Sequence, residues 1–275
     1  MSVHGAERTR RVTVRDLREM KRRGDKIVAL TAYDFLFGRL VDGAGVDIVL
    51  VGDSLGQVVC GHDSTLPVTL DDMIYHGRAV RRAVQRAFLV VDMPFLSFQV
   101  SPEETLRNAG RIMRETGASG VKLEGGDEET ARHVRALVRA GIPVMGHIGL
   151  TPQSVHAIGG YRVQGRAAED AERLKAEARR LEEAGCFALV LELMPAALAG
   201  EVSRSLEIPT IGIGAGPETD GQVLVLYDML GLNEGFSPRF LRRFADLASA
   251  ARAGLDSYVR AVRAGEYPGP EHSFE

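Results

Sequence analysis

Cysteine is nearly absent from this 275-residue chain. Cys60 and Cys186 are too few for a disulfide framework, and no compact group of Cys and His offers a zinc site. A reducing, cytoplasmic setting is therefore expected. An excess of one charge is lacking too. The 34 basic and 37 acidic residues leave a formal net charge of -3, which provides no field to recruit nucleic acid or an anionic membrane. No apolar run approaches membrane-spanning length. The N-terminus is polar and Arg-rich without a hydrophobic signal core, and Glu7, Asp16 and Glu19 argue against an organelle transit peptide. What the chain does have is 45% hydrophobic content, enough for one large core, so a single domain over residues 1–275 is expected.

That content is arranged in eight short apolar runs, at 27–31, 47–52, 88–93, 120–124, 142–147, 188–193, 209–214 and 222–227. Continuous Val/Ile/Leu runs are the mark of strands buried on both faces, and alternation with helices makes the sheet parallel. Helical patterns fall at 70–86, 102–116, 128–140 and 168–184, with Thr69 and Ser101 as candidate N-caps and Gly117, Gly141 and Gly185 as C-terminal stops. Eight such units predict a closed α/β barrel. An open doubly wound sheet would carry a phosphate loop after its first strand, whereas the turn here reads Thr31-Ala32-Tyr33-Asp34 without glycine. A helix over 14–23 is expected to plug the barrel floor, and a pair of helices is expected after Ser237. Two connections, 54–69 and 149–167, exceed ordinary strand-to-helix loops and read as lids over the strand C-termini.

Four of the runs end in an acid: Asp53, Asp92, Glu124 and Glu192. One acid after a strand is ordinarily a turn former. Four at the same end of a parallel barrel would meet at one mouth, where a cation relieves their repulsion. All-oxygen ligation favours a hard divalent ion such as Mg²⁺. Lys122 and Glu124 lie two apart and so share one face of a strand. Their pairing is either structural or sets an ammonium beside the metal to meet a substrate carboxylate or oxyanion. His147 ends the fifth run and reads either as a hydrogen-bonded core residue or as a functional one. Two other signals are weak. The glycines of 211–216 have the wrong spacing for a dinucleotide loop, and Cys60-Gly61-His62 has no adjacent activating base.

The runs Val51-Gly52-Asp53-Ser54-Leu55-Gly56, Val121-Lys122-Leu123-Glu124-Gly125-Gly126 and Gly146-His147-Ile148-Gly149-Leu150-Thr151-Pro152-Gln153-Ser154 closely resemble the ketopantoate hydroxymethyltransferase family. The match continues through residues 61–69, 159–161, 163–166, 211–216, 267–269 and 271–274 and so covers nearly the whole chain. The resemblance implies a (β/α)₈ TIM barrel of the phosphoenolpyruvate mutase/isocitrate lyase-like group, with an N-terminal helix and a C-terminal helical extension. It implies transfer of a hydroxymethyl group from 5,10-methylenetetrahydrofolate to 3-methyl-2-oxobutanoate in pantothenate biosynthesis. It further implies Mg²⁺ held by Asp53, Asp92 and Glu124, substrate contacts from Ser54 and Lys122, Glu192 as proton acceptor, and a homo-oligomer, commonly a decamer. Asp53, Asp92 and His147 join Ser54 and Lys122 as candidate substrate contacts. The rival readings are an oxo-acid lyase or mutase of the same barrel group, or a non-catalytic oxo-acid sensor. The lyases' Lys-Lys-Cys-Gly-His signature is not met, because Val58 and Val59 precede Cys60 here.

Overall fold

In the computed structural model, which describes residues 10–274, the eight apolar runs form eight parallel strands closed in sequence order. They are β1 (Ile27–Thr31), β2 (Ile48–Val51), β3 (Phe88–Asp92), β4 (Gly120–Glu124), β5 (Val144–Gly149), β6 (Ala188–Glu192), β7 (Thr210–Ile213) and β8 (Gly221–Leu224). The barrel closes through β1 and β8, with Ala29 opposite Val223. Two compact units make up the chain, one ending at Val225 and containing the barrel, the other running from Leu226. Residues 1–9 of the polar N-terminus, Glu7 among them, lie outside the described residues.

Helix starts follow local capping chemistry. Thr69 accepts from the Asp72 N–H while Asp72 reaches back, Ser101 accepts from the Glu104 N–H, and Asp127 accepts from the Thr130 N–H. Gly117 and Gly185 end Pro102–Thr116 and Ala168–Ala184 in the left-handed conformation, as expected. Leu70–Ala83 stops short of the expected Arg86. The Asp42 carboxylate accepts the N–H groups of Gln85 and Ala87, both at 2.8 Å, and this pulls the chain into β3 before the helix can continue. In the second unit the expected pair of helices is one helix, Leu247–Arg263, followed by a single 3₁₀ turn at Pro270–His272. Arg243 donates to the carbonyls of Asn233, Glu234 and Phe236, and these bonds hold the preceding segment in a non-helical path.

The floor of the barrel is apolar and plugged from below by Val14–Arg23, as the sequence suggested. Leu17 is fully buried among Ile27, Ile48, Phe88, Met145 and Phe187, with Val14 and Met20 packed against the same cluster. Phe88 and Phe187 meet edge to face, centroids 5.1 Å apart. On the far side of this helix Lys21 donates to Ser203 O, Ile208 O and Asp220 Oδ2 at 2.8–3.0 Å, which locks the plug to the β7 and β8 side. Truncating Leu17 to Ala removes a fully buried side chain where the surroundings cannot collapse. Urea unfolding of Leu17→Ala is expected to show a loss of about 2–5 kcal/mol. A change no larger than that of an exposed-site substitution would remove Leu17 from the core.

Candidate active site

The strand period of two builds the site. In β3 the inward residues are Phe88, Val90 and then Asp92; in β6 they are Ala188, Val190 and then Glu192. One ladder thus runs from apolar floor to acidic mouth, and in β5 Met145 is followed by His147 in the same way. Parallel register then sets neighbours side by side. Asp92 lies beside Lys122, and Glu124 beside His147. Asp53, just beyond β2, is brought in by its own N–H, which donates to Asp92 Oδ2 at 3.0 Å.

All of the candidate residues converge at this mouth. Lys122 Nζ lies 2.8 Å from Asp92 Oδ1, with both side chains nearly sealed from solvent. Burial works against the Lys122 charge, yet the carboxylates of Asp92, Glu124 and Asp53 more than offset it and raise its pKa. Burial, with the charge of Asp92, pushes the Asp53 carboxyl up to about 7 against the pull of Lys122. Burial and the charge of Asp53 likewise hold Glu124 well above the ordinary carboxylate range. His147 lies between two acids, with Nε2 3.2 Å from Glu192 Oε2 and Nδ1 3.5 Å from Glu124 Oε1. Neither contact meets hydrogen-bond geometry, so both ring nitrogens are buried without a hydrogen-bond partner. Burial lowers the imidazole pKa, while contact with Glu192 works the other way. The Glu192 side chain retains 16% exposure and so reaches the opening of the site. Ser54 Oγ is 2.9 Å from the Tyr33 hydroxyl.

Sequence reasoning missed Gln153. This residue begins the connection after β5, and it is buried. Its side-chain amide donates to Asp53 Oδ2 at 2.8 Å and Met93 O at 3.0 Å, its N–H donates to Glu124 Oε2 at 2.9 Å, and Gln99 donates to its amide oxygen at 3.1 Å. One residue therefore orients two of the acids. Its only signal was membership of the Leu150-Thr151-Pro152-Gln153-Ser154 run, where a glutamine beside a proline reads as surface turn. Gly149 is a second such residue. At φ 92° its backbone passes so close that a Cβ would come within 2.2 Å of Glu192 O, and this approach lets the Leu150 N–H bond that carbonyl at 2.9 Å. Leu193, next to Glu192, holds a left-handed φ of 46°, an uncommon conformation for a leucine that clusters at functional sites.

Among the described residues no three His, Cys, Asp or Glu side chains stand close enough to hold an ion unaided. Mg²⁺ does not require that, since it keeps several waters and takes few protein carboxylates. Asp53, Asp92 and Glu124 are buried with Lys122 beside them, and burial, together with the negative charge of the neighbouring carboxylates, raises the Asp53 and Glu124 carboxyls. The donor set fits a hard divalent cation.

A ketopantoate hydroxymethyltransferase family model matches residues 11–270. The chain belongs to this family. It is 58% identical to the 3-methyl-2-oxobutanoate hydroxymethyltransferase of Syntrophotalea carbinolica over 96% of this chain and 99% of that one. It is 55% identical to the enzyme of the same name from Chlorobaculum parvum, with 96% of each chain covered. By fold it is similar to a phosphonopyruvate hydrolase solved with oxalate and magnesium, with a TM-score of 0.62, 13% identity, and 94% and 92% of the two chains covered. It is also similar to a 2,3-dimethylmalate lyase of the phosphoenolpyruvate mutase/isocitrate lyase superfamily, with a TM-score of 0.58, 18% identity and the same coverage. These likenesses bear out the barrel fold.

A cation effect on stability follows from the charge balance. The folded-state pKa of Asp53 is raised, so the cation-free protein binds an extra proton between the unfolded value near 3.8 and about 7. Its stability is present at low pH and is lost as pH rises through about 7. A cation replaces that proton, so Mg²⁺ should raise Tm more at about pH 8 than at about pH 6. Equal increments at both pH values would remove Asp53 from the cation site.

Proposed function

We propose that the chain transfers a hydroxymethyl group to 3-methyl-2-oxobutanoate from 5,10-methylenetetrahydrofolate. The products are 2-dehydropantoate and tetrahydrofolate, and Asp53, Asp92 and Glu124 hold Mg²⁺ in the barrel mouth. The observation that carries this reading is the contrast among the acids. Three are buried, while Glu192 reaches the opening of the site beside His147.

Mg²⁺ bound at these acids supplies Lewis-acid polarisation of the keto and carboxylate oxygens of the oxo acid. The remaining steps belong to the chain. Lys122, kept charged by Asp92, faces the negative oxygen that develops as the C3–H bond breaks. Ser54, held by Tyr33, offers its hydroxyl to the substrate carboxylate. Glu192 takes the C3 proton, and His147 restricts where its carboxylate can swing. The carbon left with the electron pair bonds to the methylene carbon of the carrier as both of that carbon's bonds to nitrogen break. Water supplies the hydroxyl, and its proton together with the one taken by Glu192 goes to the two carrier nitrogens, leaving tetrahydrofolate. The connections over 54–69 and 149–167 limit entry of bulk water, which would reprotonate C3.

We also place the enzyme in the cytoplasm as a homo-oligomer, in keeping with its free cysteines and its family. Leu255, Tyr258, Val259 and Val262 form an exposed apolar stripe along Leu247–Arg263, which suits burial against a second copy. Light scattering at micromolar concentration should give a multiple of 29.8 kDa, the expected one being a decamer. A monomer mass would overturn this assignment.

Glu192→Gln preserves size and removes the base. In D₂O with Mg²⁺ and the oxo acid, NMR should show C3 exchange slowed at least about a hundredfold, with oxo-acid affinity little changed. Product formation should fall in step. Exchange at the wild-type rate would assign proton removal to another group, and loss of Mg²⁺ binding would make Glu192 a ligand instead.

A further inference from the structure

The last third of the 149–167 connection is fixed in its backbone and carries two arginines on its exposed side. Gln164 N–H donates to Leu193 O at 2.8 Å, Gln164 Nε2 donates to Arg162 O at 2.9 Å, and Gly165 N–H donates to the Asp170 carboxylate. Gly165 turns at φ 81°, and a Cβ there would lie 2.5 Å from the Leu198 side chain, so the segment packs directly on the helix Ala196–Ser205 that follows β6. Against this, Tyr161 is 52% exposed, and Arg162 and Arg166 are exposed without an ion pair among the described residues. Asp170, the nearby acid, is already engaged by Gly165 and Arg173. The arrangement fits an ordered wall waiting for an anion.

That wall lines a cavity of 530 Å³ in which Tyr161, Arg162, Gln164 and Arg166 take part. The volume is within the range of roughly 300–1,000 Å³ that small-molecule sites occupy. Two contacts join it to the site. Gln164 is bonded to Leu193, the residue after Glu192. The Tyr161 hydroxyl lies 3.5 Å from Gln57 Nε2, on the short helix Leu55–Val58 that follows Asp53 and Ser54. Any carrier that delivers a carbon beside Glu192 must extend its remainder along a wall this close. The barrel floor cannot take it, because the residues there are packed side chains.

We propose that this cavity seats the tail of the one-carbon carrier, with Tyr161 against its flat p-aminobenzoyl ring and Arg162 and Arg166 on the carboxylates of its glutamate. The chemistry is that of paired guanidinium groups meeting carboxylates beside an aromatic face. This rests on the hydroxymethyl-transfer reading and deepens it by naming where the second substrate binds.

Exchange of the C3 proton needs the oxo acid and Mg²⁺ but no carrier, so it separates the two readings. The variant Arg162→Gln/Arg166→Gln is assayed for C3 exchange in D₂O and for KM of methylenetetrahydrofolate. Inhibition by p-aminobenzoylglutamate and by p-aminobenzoate is measured alongside. The expected result is exchange within twofold of wild type, carrier KM raised about tenfold, and loss of the advantage that p-aminobenzoylglutamate has over p-aminobenzoate. Tyr161→Leu should raise carrier KM while Tyr161→Phe should not. Unchanged carrier KM with normal exchange overturns the cavity assignment and leaves the reaction standing. Parallel loss of exchange in the arginine variant also overturns it, since the arginines would then be holding the catalytic face together. No exchange in the wild type would sink the reaction itself, and the cavity assignment with it.

Discussion

The ion pair between Lys122 and Asp92 is the interaction on which the mouth of the barrel depends. Both groups are almost wholly buried, and removing one partner from such a pair commonly costs about 3–5 kcal/mol because the other charge is stranded. Its reach exceeds the two residues. Asp92 uses its second oxygen to accept the Asp53 N–H, so the pair on β3 and β4 also fixes the exit of β2. Asp53 and Glu124 are then left as surplus negative charge that one ammonium cannot balance, and their carboxyls are driven toward the neutral form. That imbalance at one end of the barrel is what the proposed divalent cation would relieve.

The rest of the barrel holds this charge in register. Because each strand turns a residue inward every second position, the ladder that buries Phe88 and Val90 carries Asp92 to the mouth with no separate device. A slip of one residue would send the acid outward among the helices. The Leu17 plug and the Phe88–Phe187 contact make that slip costly from the floor, far from the chemistry. The connection after β5 ties the top in the same spirit. Gln153 grips two carboxylates, and Gly149 allows the Leu150 N–H to hold the Glu192 carbonyl.

What the sequence made legible was local. Buried strands, capped helices and an acid at each of four strand ends are written within a few residues of themselves, and the barrel follows from repeating them. What stayed hidden was set at long range. The end of Leu70–Ala83 depends on Asp42, and the break before Leu247–Arg263 depends on Arg243 reaching back to three carbonyls. Gln153 acts on Asp53 from 100 positions away. No spacing rule marks such a residue, because its neighbours in sequence form an ordinary Pro-containing turn. The left-handed Leu193 is hidden for a related reason: leucine carries no preference for that conformation, so only the surrounding bonds impose it.

The barrel does not choose the reaction, since proteins of different chemistry share it. The choice lies in how each acid is restrained. Asp92 is held by the Asp53 N–H and by Lys122, Asp53 by the Gln153 amide and Glu124 by the Gln153 N–H, so all three carboxylates are fixed in place. Rigid carboxylates suit ligation, where an ion rewards fixed geometry. Glu192 has no hydrogen bond to its carboxylate of that kind among the described residues; its backbone is pinned instead, through its carbonyl and through the Leu193 N–H on Ile213 O. An acid anchored at the main chain and loose at its tip can follow a proton as it leaves carbon. A fourth pinned carboxylate would add charge to the cation site and leave the C3 proton without an acceptor. On the proposed assignment, the asymmetry between three held acids and one free one is what divides holding a cation from taking the C3 proton.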